Sequence, residues 1–368
     1  MTETINIHSS AIIIPAYDPD ERLTEYVQKL IGAGFKTIII VDDGSDIEKR
    51  PIFDNLALMP ECILIRHAVN LGKGRGLKNA FNTYLNLPNL SDYCGVITVD
   101  SDGQHTIEDV VRLSGRLASE AAVDSASNTL FLGSRDFDKE NVPFKSRWGN
   151  KITRVTFSLL HGVRISDTQT GLRGIPTEVV KKIIDLSGER FEYETNMLIV
   201  AARSGVKIEE IPIETVYENN NAGTHFNPFR DSFAIYKLLF GTFFKYIISS
   251  LTSFLIDIAI FQFALTLLKS GAIEEAKGII IATVIARILS SIYNYAVNRT
   301  LVFHSSSGKL LSFVKYYVLV IVQLSCSAGF VILFHNILGL PETVVKIFVD
   351  FILFIISYQI QKRLVFKK

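Results

Sequence analysis

The chain has 368 residues, 38 Lys and Arg against 37 Asp and Glu, a net charge of +1, and 48% apolar residues. The balanced charge argues against a general nucleic-acid binder, and at roughly 150 residues per domain the length suggests two or three domains. Cys62, Cys94 and Cys326 are scattered, which excludes a disulfide framework and a cysteine-metal spacing and suits a reducing cytosol. Up to about Asn227 charged and apolar residues mix as in a soluble domain. Beyond Leu238, Ile, Leu, Val and Phe dominate in stretches of about 20 residues, the length a bilayer core demands. The polar start Met1-Thr2-Glu3-Thr4 is not expected to be a secretory signal, because it lacks an apolar core.

In chain order, the apolar run Ala11–Ile14 predicts a strand and Glu21–Ile31 a helix. Thr37–Val41 is a second strand and ends at Asp42-Asp43-Gly44-Ser45. Cys62–Ile65 is a third, followed by the turn Asn70-Leu71-Gly72-Lys73-Gly74 and a helix over Leu77–Leu85. The two glycines would let the backbone approach a ligand closely, and Lys73 adds a cation suited to phosphate; the plain alternative is a turn. Val96–Val99 is a fourth strand and Thr129–Leu132 a fifth. Continuous apolar strands alternating with helices imply a mostly parallel sheet covered on both faces. The polar clusters follow strands, where such sheets bind ligands.

The densest cluster is Asp100-Ser101-Asp102-Gly103-Gln104-His105, directly after the fourth strand. Two carboxylates and an amide oxygen suit a hard divalent cation, Mg2+ or Mn2+, beside a phosphate-bearing substrate. The plain alternative is an acidic turn, with Asp102 or Thr106 capping a helix that begins near Ile107. His105 reads as structural rather than as a general base.

Pro15-Ala16-Tyr17 with Glu21, then Val41 to Ser45, Asn70 to Gly74 and Asp100 to His105, occur in that order. Together they resemble the family 2 glycosyltransferases of the GT-A fold. Within these the chain is most similar to the polyprenyl-phosphate glycosyltransferases, which include dolichyl-phosphate mannose synthase. The resemblance covers about the first 220 residues. It implies an α/β GT-A domain (Rossmann-like, mostly parallel sheet) that transfers a hexose with inversion from a nucleotide sugar to a polyprenyl phosphate, undecaprenyl or dolichyl.

By that resemblance the nucleotide sugar is bound by Pro15, Ala16, Tyr17, Glu21, Asp42, Asp43, Lys73, Asp100, Ser101 and Asp102. Either Asp42 or Asp43 would accept from the nucleobase imide or a ribose hydroxyl. The metal and diphosphate would lie at Asp100, Asp102 and Gln104, with Asp102, Arg135 and Arg147 as the catalytic group. Arg135 and Arg147, with Lys145 nearby, would meet the acceptor phosphate and the leaving diphosphate, since a guanidinium fork binds phosphate bidentately; for Lys145 a solvated loop is an equal alternative. The segment Asp167-Thr168-Gln169-Thr170-Gly171-Leu172-Arg173 would frame the sugar and acceptor. Glu192, opening a helix, is either the family's acid or a partner of the helix dipole.

Two departures narrow the reading. Processive polysaccharide synthases carry Gln-x-x-Arg-Trp, whereas here Phe144 stands before Arg147-Trp148, which argues against a polymerase. Mannose synthases carry an Arg-rich, Ser-Lys-containing segment where this chain has Tyr217 to Phe226. That disfavours GDP-mannose, leaves His225 as a phosphate contact, and makes UDP-glucose or a related UDP-hexose the expected donor. A GDP-mannose-dependent synthase is the alternative.

The remainder predicts an interfacial amphipathic helix at 228–242, with Phe229, Phe233, Tyr236 and Phe240 on one stripe; an amphipathic helix packed on the catalytic domain is the alternative. Four spans follow at Tyr246–Leu268, Ile279–Val297, Tyr316–Leu338 and Val344–Ile360. The chain thus divides at 1–227, 228–242 and 243–368, the last an all-α transmembrane domain of four helices. Arg299, Lys309 and Lys315 lie between the second and third spans, and Lys362, Arg363, Lys367 and Lys368 follow the fourth. The positive-inside rule then predicts a multi-pass protein of the cell membrane with the catalytic domain and both termini cytoplasmic. Phe243-Phe244-Lys245-Tyr246 recurs as Phe313-Val314-Lys315-Tyr316, and Leu301-Val302-Phe303 as Leu364-Val365-Phe366. Tyr295 with Arg299 matches Tyr358 with Arg363. This parallel repeat of two hairpins resembles the GtrA family of small membrane proteins. Asp257, Arg287, Asn294, Asn298 and Asp350 fall in or near the spans, where charge is costly. They read either as a path for a lipid-linked sugar, making the domain a flippase, or as structural pairs in an anchor that also serves homo-oligomerisation.

Overall fold

A computed structural model describes residues 9–124, 127–135, 144–214, 230–269 and 275–366; the side chains of 144–150, 152, 161, 269 and 275 are outside the description. The chain forms two units, Met1–Leu239 and Phe240–Lys368.

The first unit alternates β1 (Ser10–Ala16), α1 (Arg22–Gly32), β2 (Ile38–Asp42), α2 (Arg50–Ala57), β3 (Cys62–Arg66), α3 (Lys73–Leu85), β4 (Gly95–Thr98), α4 (Ile107–Val123) and β5 (Thr129–Arg135). Then come α5 (Phe144–His161), β6 (Arg173–Pro176), α6 (Thr177–Ile183), α7 (Glu192–Arg203) and β7 (Lys207–Ile213). The seven strands form one sheet in the order β3-β2-β1-β4-β6-β5-β7. All neighbours are parallel except β6, which runs antiparallel to β4 and β5. Ala11 to Ile14 and Ile38 to Val41 are fully buried, as strands covered on both faces must be. Leu23, Tyr26, Val27 and Leu30 form the buried stripe of α1, the spacing that seats a helix on a sheet.

All five predicted strands appear, the first four within a residue or two of their expected bounds and the fifth running three residues further, to Arg135. β6 and β7 escaped the reading because Arg-Gly-Ile-Pro and Lys-Ile-Glu-Glu-Ile-Pro-Ile lack a continuous apolar run. β7 is an edge strand, where charge and proline are tolerated. β1 and β4 are adjacent but feed opposite halves of the sheet. Their carboxyl ends therefore open the switch-point crevice in which such sheets bind ligands.

Four helices are long and apolar enough to cross a membrane, over Arg230–Leu268, Ala276–Val302, Lys309–Leu338 and Glu342–Val365. The first belongs to α8 (Arg230–Lys269), a continuous helix of 40 residues. Phe233, Tyr236, Phe240 and the first predicted span thus share one helix, while Phe229 lies outside the described residues. The others are α9 (Glu275–Val297), α10 (Lys309–Leu338) and α11 (Glu342–Ile360).

The sequence repeat has a structural counterpart. α9 and α11 each end in a π turn, Asn298–Val302 and Gln361–Val365. There the amides of Phe303 and Phe366 donate to the carbonyls of Asn298 (2.9 Å) and Gln361 (2.8 Å). The two phenylalanine rings stack at 5.4 Å, and the Asn298 amide donates to Gln361 Oε1 at 3.2 Å. Gln361 Nε2 donates to the Tyr246 hydroxyl at 3.1 Å, while the Tyr316 hydroxyl donates to Asn294 Oδ1, also at 3.1 Å. Each repeat thus fastens its opening tyrosine to the closing end of the other.

The charged residues in the spans have partners inside their own hairpins. Asp257 accepts from Ser290 Oγ at 2.7 Å and lies 3.5 Å from Arg287 Nη2. Asp350 accepts from Ser327 Oγ at 2.5 Å and from Lys346 Nζ at 2.8 Å.

Candidate active site

At the carboxyl end of β2, Asp42 and Asp43 have separate duties. Asp43 Oδ1 accepts from His67 Nδ1 (2.7 Å) and the Leu71 amide (2.9 Å), and its Oδ2 accepts from the Gly72 amide (2.8 Å). Asn79 Nδ2 lies 2.8 Å from His67 Nε2; an amide NH2 can only donate, so the His67 proton sits on Nδ1. Asp43 therefore shapes the loop that enters α3. Asp42 Oδ1 accepts from the Ser45 amide at 2.9 Å, and its Oδ2 faces Arg66 Nε at 3.9 Å.

That loop corrects one expectation. A Cβ on Gly72 would lie 2.4 Å from the Glu189 carbonyl oxygen, and one on Gly74 would lie 2.6 Å from Tyr193 Cβ. The close approach these glycines permit is to the chain's own 189–193 segment rather than to a ligand. It brings Lys73, the first residue of α3, against both Asp100 and α7.

Lys73 Nζ lies 2.7 Å from Asp100 Oδ1 and 2.9 Å from Glu194 Oε2. Burial alone would lower the Lys73 pKa, but the two carboxylates push it up. The second Asp100 oxygen is 3.3 Å from His105 Nε2. Burial would raise the Asp100 pKa, but Lys73 and His105 hold it well below the usual carboxylate range. Asp102 is shifted the other way, raised first by burial and then by the charge of Asp100. Among the described residues its Oδ1 accepts the Gln104 amide, at 3.1 Å, and the Gln104 side chain has no hydrogen-bond partner. Ser101 is half-buried in the same turn.

This donor set fits a divalent cation. Asp102 is a carboxylate whose negative charge the surroundings disfavour, so a nearby cation would relieve it, and the Gln104 carbonyl is a second uncommitted oxygen. Asp100 already serves Lys73 and His105. Among the described residues no three His, Cys, Asp or Glu side chains converge on a metal position, so a cation here would draw on the amide oxygen as well.

The expected acceptor segment lies against this group. The Gly171 carbonyl accepts from Thr98 Oγ1 at 2.7 Å, and a Cβ there would sit 2.4 Å from both Asp100 oxygens. Gly171→Ala should therefore displace Asp100, cost about 1–3 kcal/mol by overpacking, and lower both the melting temperature and the turnover. A variant with wild-type values for both would show that Asp100 is free to move.

Arg173 is fully buried; it donates from Nε to the Thr170 carbonyl (3.1 Å) and from Nη1 to the Glu194 carbonyl (2.7 Å). Expected on the acceptor side, it instead lies beneath the site and ties β6 to α7. The Thr170 hydroxyl, also buried, accepts from the Leu172 amide at 3.3 Å. Asp167 is 0% exposed and takes Arg135 in a fork, Nε to Oδ2 at 2.6 Å and Nη2 to Oδ1 at 3.1 Å. Glu192 Oε1 accepts from the Glu189 (3.0 Å) and Arg190 (3.3 Å) amides, bracing the turn before α7.

Pro15 and Ala16 are buried at the end of β1, Tyr17 is half-buried, and Glu21 is exposed at the start of α1 without a side-chain cap. Arg147 lies in α5 with its side chain outside the described residues, as do those of Lys145 and Trp148; His225 is wholly outside them. The residue that sequence reasoning missed is Glu194. Its signal was faint, a second acid one half-turn beyond Glu192.

A doubly covered, mostly parallel sheet with an acidic, oxygen-rich loop and a lysine at its switch point is the α/β architecture that binds ligands at the carboxyl edge of its strands. Residues 11–183 match the model of glycosyl transferase family 2, and residues 245–366 match that of the GtrA/DPMS transmembrane domain. The chain is 34% identical over 217 residues to an uncharacterized protein of Methanocaldococcus jannaschii, covering 58% of this chain and 84% of that one. It is 28% identical over 228 residues to a UDP-N-acetylglucosamine–dolichyl-phosphate N-acetylglucosaminyltransferase of Methanococcus voltae, covering 56% and 85%. It is 26% identical over 220 residues to a dolichyl-phosphate beta-glucosyltransferase of Trichomonas vaginalis, covering 55% and 64%. The chain belongs to glycosyl transferase family 2, with a GT-A catalytic domain fused to a GtrA-like membrane domain. It is a glycosyltransferase and a membrane protein.

Proposed function

We propose that this enzyme transfers one hexose, with inversion, from a UDP-hexose to a polyprenyl phosphate at the cytoplasmic face of the membrane. The observation that carries the reading is the pair Asp102 and Gln104 at the switch point, whose side-chain oxygens have, among the described residues, no partner beyond the Gln104 main-chain amide, in a chain with four helices of membrane-crossing length. A lipid acceptor accounts for that architecture, since its tail needs the bilayer and its phosphate stays at the surface. The names of the Methanococcus and Trichomonas relatives support a dolichyl-phosphate type of acceptor, and the first of them supports a UDP donor.

The chemistry needs no protein base. A phosphate monoester has a second pKa of about 6 and is already largely a dianion at neutral pH. It needs alignment and charge neutralisation. Asp102 and Gln104 would hold Mg2+ or Mn2+, which when bound offsets the charge developing on the departing diphosphate. Asp167 sets the Arg135 guanidinium in one orientation, and Arg135 with Arg147 orients the acceptor phosphate. Pro15, Ala16 and Tyr17 border the nucleoside. Asp42 is the better partner for it than Asp43, whose oxygens both serve the α3 loop.

The basic residues between the second and third spans and after the fourth support a cytoplasmic catalytic domain and termini. We read Asp257–Arg287 and Asp350–Lys346 as structural pairs, because each carboxylate is satisfied within its own hairpin. The membrane half then acts as an anchor that brings the acceptor to the site.

Radiolabel transfer to undecaprenyl phosphate in detergent, from UDP-glucose, UDP-N-acetylglucosamine, UDP-galactose and GDP-mannose in turn, tests the reading. Labelled lipid from one UDP-sugar, lost on chelation, is the expected result. Label from GDP-mannose alone would replace the donor, and no label from any of the four would overturn the reaction.

A further inference from the structure

Glu194 has no part in the reaction as described, yet it is one of two carboxylates that grip Lys73. It stands in the first turn of α7, buried, with Oε2 2.9 Å from Lys73 Nζ. Its main-chain carbonyl accepts from the fully buried Arg173 at 2.7 Å, which fixes that turn relative to β6. Asp100 Oδ1 lies 2.7 Å from the same ammonium.

We propose that Glu194, acting through Lys73, is a positioning residue for the loop from Asp100 to Gln104. The inference rests on the cation reading given above. Asp100 is where β4 passes into that loop, and three neighbours constrain its carboxylate: Lys73 on one oxygen, His105 on the other, and Gly171, where a Cβ would lie 2.4 Å from both oxygens. Of these, Lys73 is the adjustable one. Its stem has four rotatable carbons, and its side chain is only 18% exposed.

Two carboxylates from different elements hold the ammonium, whereas Asp100 alone would let it follow its own movement. The arm from Arg173 through Glu194 and Lys73 to Asp100 thus keeps Asp100 out of the cation's coordination and presents Asp102 and Gln104 in one geometry. Partners of this kind, one contact behind the ligands, typically alter metal affinity or activity by about 10–100-fold when removed.

The test is Mn2+ binding to the full-length protein in detergent, with Mn2+ alone as probe, read by the electron spin resonance of the free ion. Glu194→Gln keeps the side-chain shape and removes the charge; Lys73→Met removes the link. Each is expected to weaken Mn2+ binding by about 10–100-fold. Glu194→Gln breaks a buried pair from one side, so its melting temperature should fall as well; Mn2+ affinity measured well below the transition, in protein that is fully folded, is the readout a merely structural role would not move. Because both act through one chain of contacts, the double variant should bind no more weakly than the worse single one. Should Lys73→Met not yield folded protein, Glu194→Gln decides alone. Wild-type affinity in Glu194→Gln, losses that add in the double variant, or a wild type that binds no Mn2+ would each overturn the proposal. Sugar transfer is no part of this readout, so a wrong donor or acceptor leaves the outcome unchanged.

Discussion

Asp102→Asn should lose about 10^2–10^3-fold in turnover, the scale seen when one preorganised electrostatic group is removed from a transition state, and should melt no lower than the wild type. The amide can still accept the Gln104 backbone N–H. The stability half follows from the raised pKa of Asp102, caused first by burial and then by Asp100. A carboxyl with a folded pKa above its unfolded value favours the fold while protonated, and that contribution is lost as pH rises through the folded value. At neutral pH without divalent cation, the asparagine variant should therefore melt above the wild type. The difference should vanish on acidification below the usual carboxylate range, where Asp102 is protonated in both states. Adding Mn2+ should raise the melting temperature of the wild type only. Melting curves across pH, with and without Mn2+, together with the radiolabel assay, measure all of this. Retained turnover would remove Asp102 from the catalytic group.

Asp167→Ala should produce the largest loss of stability. Its carboxylate is fully buried and accepts from Arg135 Nε and Nη2 and from the Gln169 amide. Breaking a buried pair from one side typically costs about 3–5 kcal/mol, which for a domain of this size corresponds to a fall of roughly 6–20 °C in melting temperature. Turnover measured well below the transition should fall too, because Arg135 loses the fork that aims it. Circular dichroism melts of the full chain give the first quantity. A fall of only a degree or two would mean that Arg135 and Asp167 are held independently of each other.

Both variants probe residues that the sequence singled out, but for reasons the sequence could not separate. Asp42 and Asp43 are neighbours of one type after one strand, and only the contacts of Asp43 with His67, Leu71 and Gly72 set them apart. Arg135 and Arg173 looked alike as cations near an acceptor. In the fold one is forked onto Asp167 at the end of β5 and the other is buried beneath the site. Glu192 and Glu194 differ by two residues in a helix, which turns one toward its own N-terminal turn and the other toward Lys73.

The sequence by itself determined what depends on order along the chain. Apolar runs of strand length, each followed by a polar cluster, specify a parallel sheet with its ligands at one edge. Stretches of about 20 apolar residues specify membrane crossing, and recurring tyrosine and Leu-Val-Phe signatures specify the two-hairpin repeat. These are local or periodic properties, set by burial and chain geometry. Only the tertiary structure decided which charges meet. Lys73, Asp100, Gly171 and Glu194 come from four distant points of the chain, and their contacts depend on angstrom-scale approaches such as that of Gly72 to Glu189. Whether a side chain faces a ligand or a neighbour is set by such approaches between segments, and no pattern within a segment encodes them.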